Sequence, residues 1–150
     1  MNANLTFDRY TGGARRALFY AHTGVSAHGG AAITDSHLLL GILKAAPELV
    51  PLIRPRVQIQ RLSDCLVRAV AASSRLPTTV EVPFDAAAEA ALTRAADVAE
   101  QFGQVDVTPA HLFLAVLETT SNVTGACLQS AGIDRTATVE AVTTFVRDGR

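Results

Sequence analysis

Apolar residues recur at spacings of three and four along most of the chain. Ala14, Ala17, Leu18, Ala21 and Val25 follow that spacing, which predicts an apolar stripe on a helix over roughly residues 12–27. Ala88, Ala91, Leu92, Ala95, Val98 and Ala99 predict a second such helix, and Asp85 stands where its N-cap belongs. Thr108-Pro109 is a stronger start signal, a hydroxyl cap followed by proline at the first helical position. The run His111 to Leu117 then reads as a short buried helix, with Ser36 to Leu43 as its copy. Further short helices are predicted near Glu48 to Ile53 and Val123 to Ala131, with Gly132 closing the latter. Longer ones follow at roughly Arg61 to Ala72 and Asp134 to Val146. Between the halves, Ser73 to Pro83 carries Pro77, Pro83 and several hydroxyl residues and reads as an extended linker.

The two halves repeat each other. Tyr10 and Phe84 stand 74 positions apart, and the same offset pairs Ala14 with Ala88, Ala17 with Ala91, Leu18 with Leu92 and Ala21 with Ala95. It continues without a gap through Gly29/Gly103, Ile33/Val107, Thr34/Thr108, His37/His111, Leu38/Leu112, Leu40/Leu114, Leu43/Leu117 and Ile59/Ile133. An ordered string that includes both His-Leu steps marks an internal duplication. The expected fold is therefore all-α: eight helices, four per repeat, related by a pseudo-twofold axis. The repeats would span about residues 10–72 and 84–147, with the linker at about 73–83. Four short helices bury too little surface to be stable alone, so residues 1–150 are expected to form one domain with a fused core.

Composition narrows the class of function. Half of the 150 residues are hydrophobic (49%) and the formal net charge is −1, which excludes a disordered chain. The near-neutral balance, with Lys44 as the sole lysine, argues against nucleic acid and against a polybasic membrane surface. No apolar run reaches the roughly 18 residues that span a bilayer. Met1 to Tyr10 lacks the basic and apolar regions of a signal peptide, so a cytoplasmic location is expected. Cys65 and Cys127 are too few for a disulfide scaffold of this size and read as small apolar helix residues in a reducing cytosol.

Motifs of catalysis and metal binding do not emerge. The chain has no phosphate-loop spacing, no H-E-x-x-H, no G-x-S-x-G and no Cys/His metal pattern. Thr11-Gly12-Gly13-Ala14-Arg15-Arg16 has glycines and cations but reads as a loop leading into the first helix. His37 and His111, equivalent in the repeats, could form a symmetric pair of ligands or bases. Their position in the first turn of buried helices favours the plainer role of satisfying nearby backbone or hydroxyl groups. His22 and His28 have no repeat partner and read as surface or helix-end residues. Arg54, Arg56, Arg61 and Arg68, interspersed with Asp64, read as a solvated face. No enzyme, cofactor or metal is expected.

The repeated motifs resemble a known family. Phe7-Asp8-Arg9-Tyr10-Thr11 followed by Ala14-Arg15-Arg16-Ala17-Leu18 resembles the start F-E-R-F-T-x-R-A-R-R of the ClpC type. Val82-Pro83-Phe84 before an Ala-rich helix resembles the family's P-F-T-P-R-A-K. Ser36-His37-Leu38-Leu39-Leu40-Gly41-Ile42-Leu43 resembles the signature E-H-L-L-L-G-L-L, and Thr108 to Leu117 its second copy. The sequence from about residue 7 to 147 thus resembles the Clp N-terminal (Clp repeat) domain, which precedes AAA+ unfoldases such as ClpC, ClpA and ClpB.

That resemblance implies a duplicated four-helix fold with no catalytic activity. It implies recruitment of protein substrates, adaptor proteins or peptide ligands to a Clp ATPase, hence a role in regulated proteolysis. It also implies two phosphoarginine-type pockets, each built from a Thr at the start of a repeat's first helix and a signature Glu. Here the first keeps Thr11 but has Ser36 for the Glu; the second has Asp85 for the Thr and Ala110 for the Glu. Neither Ser nor Ala supplies the charge that would pair a guanidinium, and Asp35 and Asp85 are the nearest acids that could compensate. A further family surface, which binds cyclic-peptide antibiotics in some members, would fall on Phe7, Arg15, Pro83 and Phe84. An alternative function is thus a stand-alone binder that sequesters such a peptide or a similar small ligand. The plainer role of Phe7 and Phe84 is to plug the two halves together.

Overall fold

A computed structural model of the chain describes residues 7–28, 32–55, 59–71 and 84–148. The helices run α1 (Gly12–His28), α2 (Asp35–Ala45), a 3-10 helix (Pro47–Leu52), α3 (Ile59–Ala71), α4 (Ala86–Gln101), α5 (Pro109–Glu118), α6 (Asn122–Ser130) and α7 (Arg135–Asp148). The fold is all-α, with helices at all eight predicted places. Extended backbone among the described residues amounts to two isolated bridges. The predicted linker and Pro83 lie outside the described residues, as does Arg56.

One element differs in kind. The third segment of the first half is a 3-10 helix, not an α-helix. Pro51 sits inside it, lacks an N–H, and in an α-helix would crowd the preceding turn. A short 3-10 run tolerates that residue.

Helix ends follow the local chemistry. Thr34 and Thr108 cap α2 and α5, each accepting the N–H of the histidine three residues on. The two 5→2 and 6→1 bonds that close α6 run from Gly132 to Gln129 and from Ile133 to Leu128. Gly132 adopts φ 73°, a left-handed turn that glycine enters without steric cost. Gly103 closes α4 in the same way, with φ 68°.

Helix α5 is buried from Ala110 through Leu117, apolar on every side, and so lies at the centre of the molecule. In the first half α1 and α2 press together at their smallest residues. A Cβ added to Gly41 would overlap the Ala17 carbonyl oxygen and lie 3.0 Å from the Ala21 nitrogen.

The halves exchange their lead-in segments. Tyr10 pairs with Val107 and Phe84 with Ile33 in parallel bridges. These pairs are equivalent under the 74-residue offset. The Thr11 N–H donates to the Val107 carbonyl at 3.0 Å, and the Asp85 N–H donates to the Ile33 carbonyl at 2.9 Å. Each half thereby supplies backbone partners that the other would lack.

A covalent link also crosses between halves. Cys65 of α3 and Cys127 of α6 form a disulfide with Cα atoms 5.5 Å apart. The expectation that both are simply small apolar helix residues does not hold. They are not equivalent under the repeat offset, and their separation of 62 residues gives no local signal. Only the packing of α3 on α6 brings them together.

Candidate functional site

The residues singled out by sequence gather around the two crossed lead-in segments. Phe7 and Phe84 come from opposite halves, and their rings meet edge to face with centroids 6.2 Å apart. Tyr10 meets Phe7 in the same manner at 5.0 Å. Phe7 and Phe84 are half-buried and pack against the core. Such edge-to-face pairs add roughly 0.5–1.5 kcal/mol beyond area burial. Tyr10 itself is 6% exposed, and its hydroxyl is enclosed without a hydrogen-bond partner among the described residues. Burial pushes that phenol well above its ordinary pKa.

Arg15 is committed to the backbone. Its Nε donates to the Tyr10 carbonyl at 3.1 Å and its Nη2 to the Phe7 carbonyl at 3.1 Å. The cation of α1 thus staples the turn that carries Phe7.

The five residues of the two implied phosphoarginine-type pockets are brought into different groupings from those the sequence order implies. Thr11 lies beside Val107 of the second repeat, and the turn that follows it packs Gly13 toward Pro109. Asp85 lies beside Ile33 of the first repeat. The grouping is therefore crosswise, Thr11 with the 107–110 segment and Asp85 with the 33–36 segment. The Thr11 hydroxyl accepts the Ala14 N–H at 3.2 Å, and the Asp85 carboxylate accepts the Ala88 N–H at 2.8 Å. Both are helix caps. Burial pushes the Asp85 carboxyl above its ordinary pKa; the Ala88 N–H opposes this, and the Asp35 charge adds to it.

Asp35 and Ser36 are sealed inside, 1% and 2% exposed. Asp35 accepts the Ser121 N–H at 2.7 Å, the Ser121 hydroxyl at 2.8 Å and the Thr124 hydroxyl at 2.8 Å. Thr124 has a single hydroxyl proton and gives it to Asp35. The 2.6 Å bond between Ser36 and Thr124 must then have Ser36 as donor. This network clamps the start of α2 to the start of α6. Ala110 is 4% exposed and uncharged. Sequence reading finds Asp35 and Ser36 but not Ser121 or Thr124, which lie more than 80 residues away.

His37 and His111 are placed as structural groups. His37 Nδ1 accepts the Thr34 N–H at 3.0 Å, and His111 Nδ1 accepts the Thr108 N–H at 2.9 Å. Each is the third residue of a capping box, a place often held by Glu or Gln. With Nδ1 accepting, the His111 proton sits on Nε2 and is donated to Gln104 Oε1 at 2.6 Å. Burial lowers the His111 pKa.

A pocket of about 290 Å³, not anticipated from the sequence, opens on the side of α5. It is lined by Glu48 and Leu49 of the 3-10 helix, Gln104, Pro109 and Ala110 near the start of α5, and Phe145 of α7. Among the described residues no group of His, Cys, Asp or Glu is arranged to hold a metal ion.

Comparison with known proteins defines the class. The family model described as the Clp repeat (R) N-terminal domain matches residues 9–131 and 83–150. The chain belongs to the Clp repeat N-terminal domain family. It is 23% identical over 153 residues to the chloroplastic chaperone protein ClpD2 of Oryza sativa subsp. japonica, covering 96% of this chain. The chain spans 16% of the length of that relative. Among solved structures it is similar to the N-terminal domain of ClpD from Arabidopsis thaliana, with TM-score 0.75 and 16% identity. That match covers 97% of this chain and 99% of the other. It is also similar to a ClpV N-domain solved in complex with a VipB peptide, with TM-score 0.58, 20% identity and coverage of 87% and 82%. At these identities the structural likeness establishes the fold. No helix among the described residues is long and apolar enough to cross a membrane.

Proposed function

We propose that this chain is a non-enzymatic peptide-binding module that recruits protein substrates or adaptor proteins to a Clp-type ATPase, in or alongside regulated proteolysis. The observation that carries this reading is membership of the Clp repeat family together with the same fold in a ClpV N-domain that holds a VipB peptide. The helix-start histidines are consistent with it, because the Nδ1 of each is engaged in a capping box. On this reading the Phe7–Phe84 seam, with Arg15 beneath it and Pro83 next to it in sequence, is part of the ligand-facing surface.

The ligand is an unmodified segment rather than a phosphoarginine. Thr11 and Asp85 already cap helices, Asp35 and Ser36 are consumed in the α2–α6 clamp, and Ala110 has no charge to offer. The test is an array of overlapping peptides from unfolded casein, followed by NMR titration of the isotope-labelled chain with the strongest binder and with free phosphoarginine. Saturable binding of casein peptides, with no saturable shifts from phosphoarginine at millimolar concentration, is the expected result. A chain that binds no peptide overturns the reading. Saturable phosphoarginine shifts at Thr11, Ser36, Asp85 and Ala110 overturn its ligand class.

The disulfide bears on compartment. Such bonds are rare in a reducing cytosol. A cytoplasmic location, which this reading retains, predicts that alkylation trapping in cell extracts finds Cys65 and Cys127 as thiols. A trapped disulfide places the chain in an oxidising compartment.

A further inference from the structure

The two halves share a corner that they finish differently. In one, Asp35 and Ser36 at the start of α2 are bonded to Ser121 and Thr124 at the start of α6. The 74-residue offset puts Pro109 and Ala110 opposite the first pair and Pro47 and Val50 opposite the second. Two prolines, an alanine and a valine have no side-chain groups with which to bridge that corner. The corner without a polar bridge is where the pocket of about 290 Å³ opens.

We propose that this pocket binds an unmodified lysine or arginine side chain of a docked peptide segment, with Glu48 as its anion. The proposal rests on the peptide-binding reading above. Leu49, Pro109, Ala110, Phe145 and Val146 give the pocket apolar walls, suited to the methylene stem of a long basic residue. Glu48 is the one formal charge among the described residues that line it, and it is exposed at the rim where an ammonium or guanidinium would emerge. The start of α5 competes little for an anion. Pro109 has no N–H, and the His111 N–H is already bonded to the Thr108 hydroxyl. Gln104 Oε1 is occupied by His111, which leaves its amide NH₂ as a donor to a ligand carbonyl.

The test compares three peptides, acetyl-Ala-Arg-Ala-amide and its norleucine and glutamate counterparts, by NMR titration of the oxidised full chain and of Glu48→Gln. Glu48 is exposed, so the variant is expected to keep its spectrum. The arginine peptide should shift Leu49, Gln104, Phe145 and Val146. It should bind about two- to five-fold tighter than the norleucine peptide, the range of a solvent-screened ion pair. Glu48→Gln and high salt should each erase that preference. Equal binding of arginine and norleucine, an unchanged preference in Glu48→Gln, or shifts confined to the Phe7–Phe84 seam overturns this pocket while leaving the peptide-binding reading intact. Absence of binding by the tripeptides and the casein peptides alike overturns both.

Discussion

Replacing Gly41 by alanine should destabilise the protein, although alanine is the better helix former. The site is the crossing of α1 and α2. The added methyl would overlap the Ala17 carbonyl oxygen, and the Ala21 nitrogen is 3.0 Å away. Both obstacles are backbone atoms, so no side-chain rotation relieves the clash. The helices must separate, and a gap of even about 0.5–1 Å forfeits a quarter to a half of each contact's attraction along the seam. Overpacking of a tight core costs about 1–3 kcal/mol and occasionally more. A rigid obstacle puts this site at about 3–4 kcal/mol, against a helix-propensity gain of about 1 kcal/mol. The net loss is then about 2–3 kcal/mol, which lowers the melting temperature by roughly 5–10 °C for a chain of this size. Gly125→Ala in α6 is the control, because its nearest neighbour is the Thr120 hydroxyl at 3.9 Å and only the propensity gain applies. The chain has no tryptophan, so urea unfolding followed by far-ultraviolet circular dichroism is the assay. Gly41→Ala as stable as the parent, or moving in the same direction as Gly125→Ala, would refute the argument. The repeat sharpens the point: the equivalent position in α5 is Ala115, fully buried, so the second helix pair is built around the methyl that the first excludes.

Three further outcomes are expected. The Cys65–Cys127 bond spans 62 residues, for which loop closure sets the cost of its loss at about 4 kcal/mol. Urea midpoints of the oxidised chain and of Cys65→Ser/Cys127→Ala measure it, and coincident midpoints would contradict the link. Burial lowers the His111 pKa, so the folded state takes up its proton less readily than the unfolded chain. Its contribution is complete above the unfolded pKa of about 6.5 and is lost as pH falls toward the lower folded value. Stability should therefore drop between pH 7.5 and 5.5 by more in the parent than in His111→Gln, which retains a capping-box side chain; parallel pH curves would exclude this cause. Tyr10→Phe removes an enclosed hydroxyl that has no partner among the described residues and should raise stability by about 1 kcal/mol, whereas a fall would mean that the hydroxyl is bonded.

The duplication explains why so much of the fold is legible in the sequence. Thr34/Thr108 and His37/His111 state the same helix start twice, and chance imitates one such signal far more easily than two at a fixed offset. Asp85 and Gly132 are read correctly because capping depends on one residue and its immediate neighbours. The helix expected near Glu48 to Ile53 is a 3-10 helix instead, because Pro51 lacks the N–H that an α-helix would need there. The functional surface is harder to read, since an offset identifies which residues are equivalent and not which ones touch. Thr11 and Ser36 belong to one repeat by sequence, yet the crossed bridges set Thr11 against Val107 and Asp85 against Ile33. The cysteine pair and the Asp35–Thr124 bond fail to show for the same reason: both are contacts between non-equivalent positions of opposite halves.

Symmetric backbone with asymmetric polar content gives the fold one sealed corner and one open corner. A buried carboxylate is costly unless its oxygens are bonded, and three donors bond those of Asp35. That corner can neither open nor accept a ligand without exposing an unpaired charge. The corner at Glu48 carries no such constraint, because Pro47, Val50, Pro109 and Ala110 lose no hydrogen bond when water or a side chain enters beside them. The two copies of one architecture thus differ at this corner, one clamped by side-chain hydrogen bonds and the other open. Substitutions at the open corner should therefore affect the core little, since the clamp and the crossed lead-in segments hold the halves together independently of it.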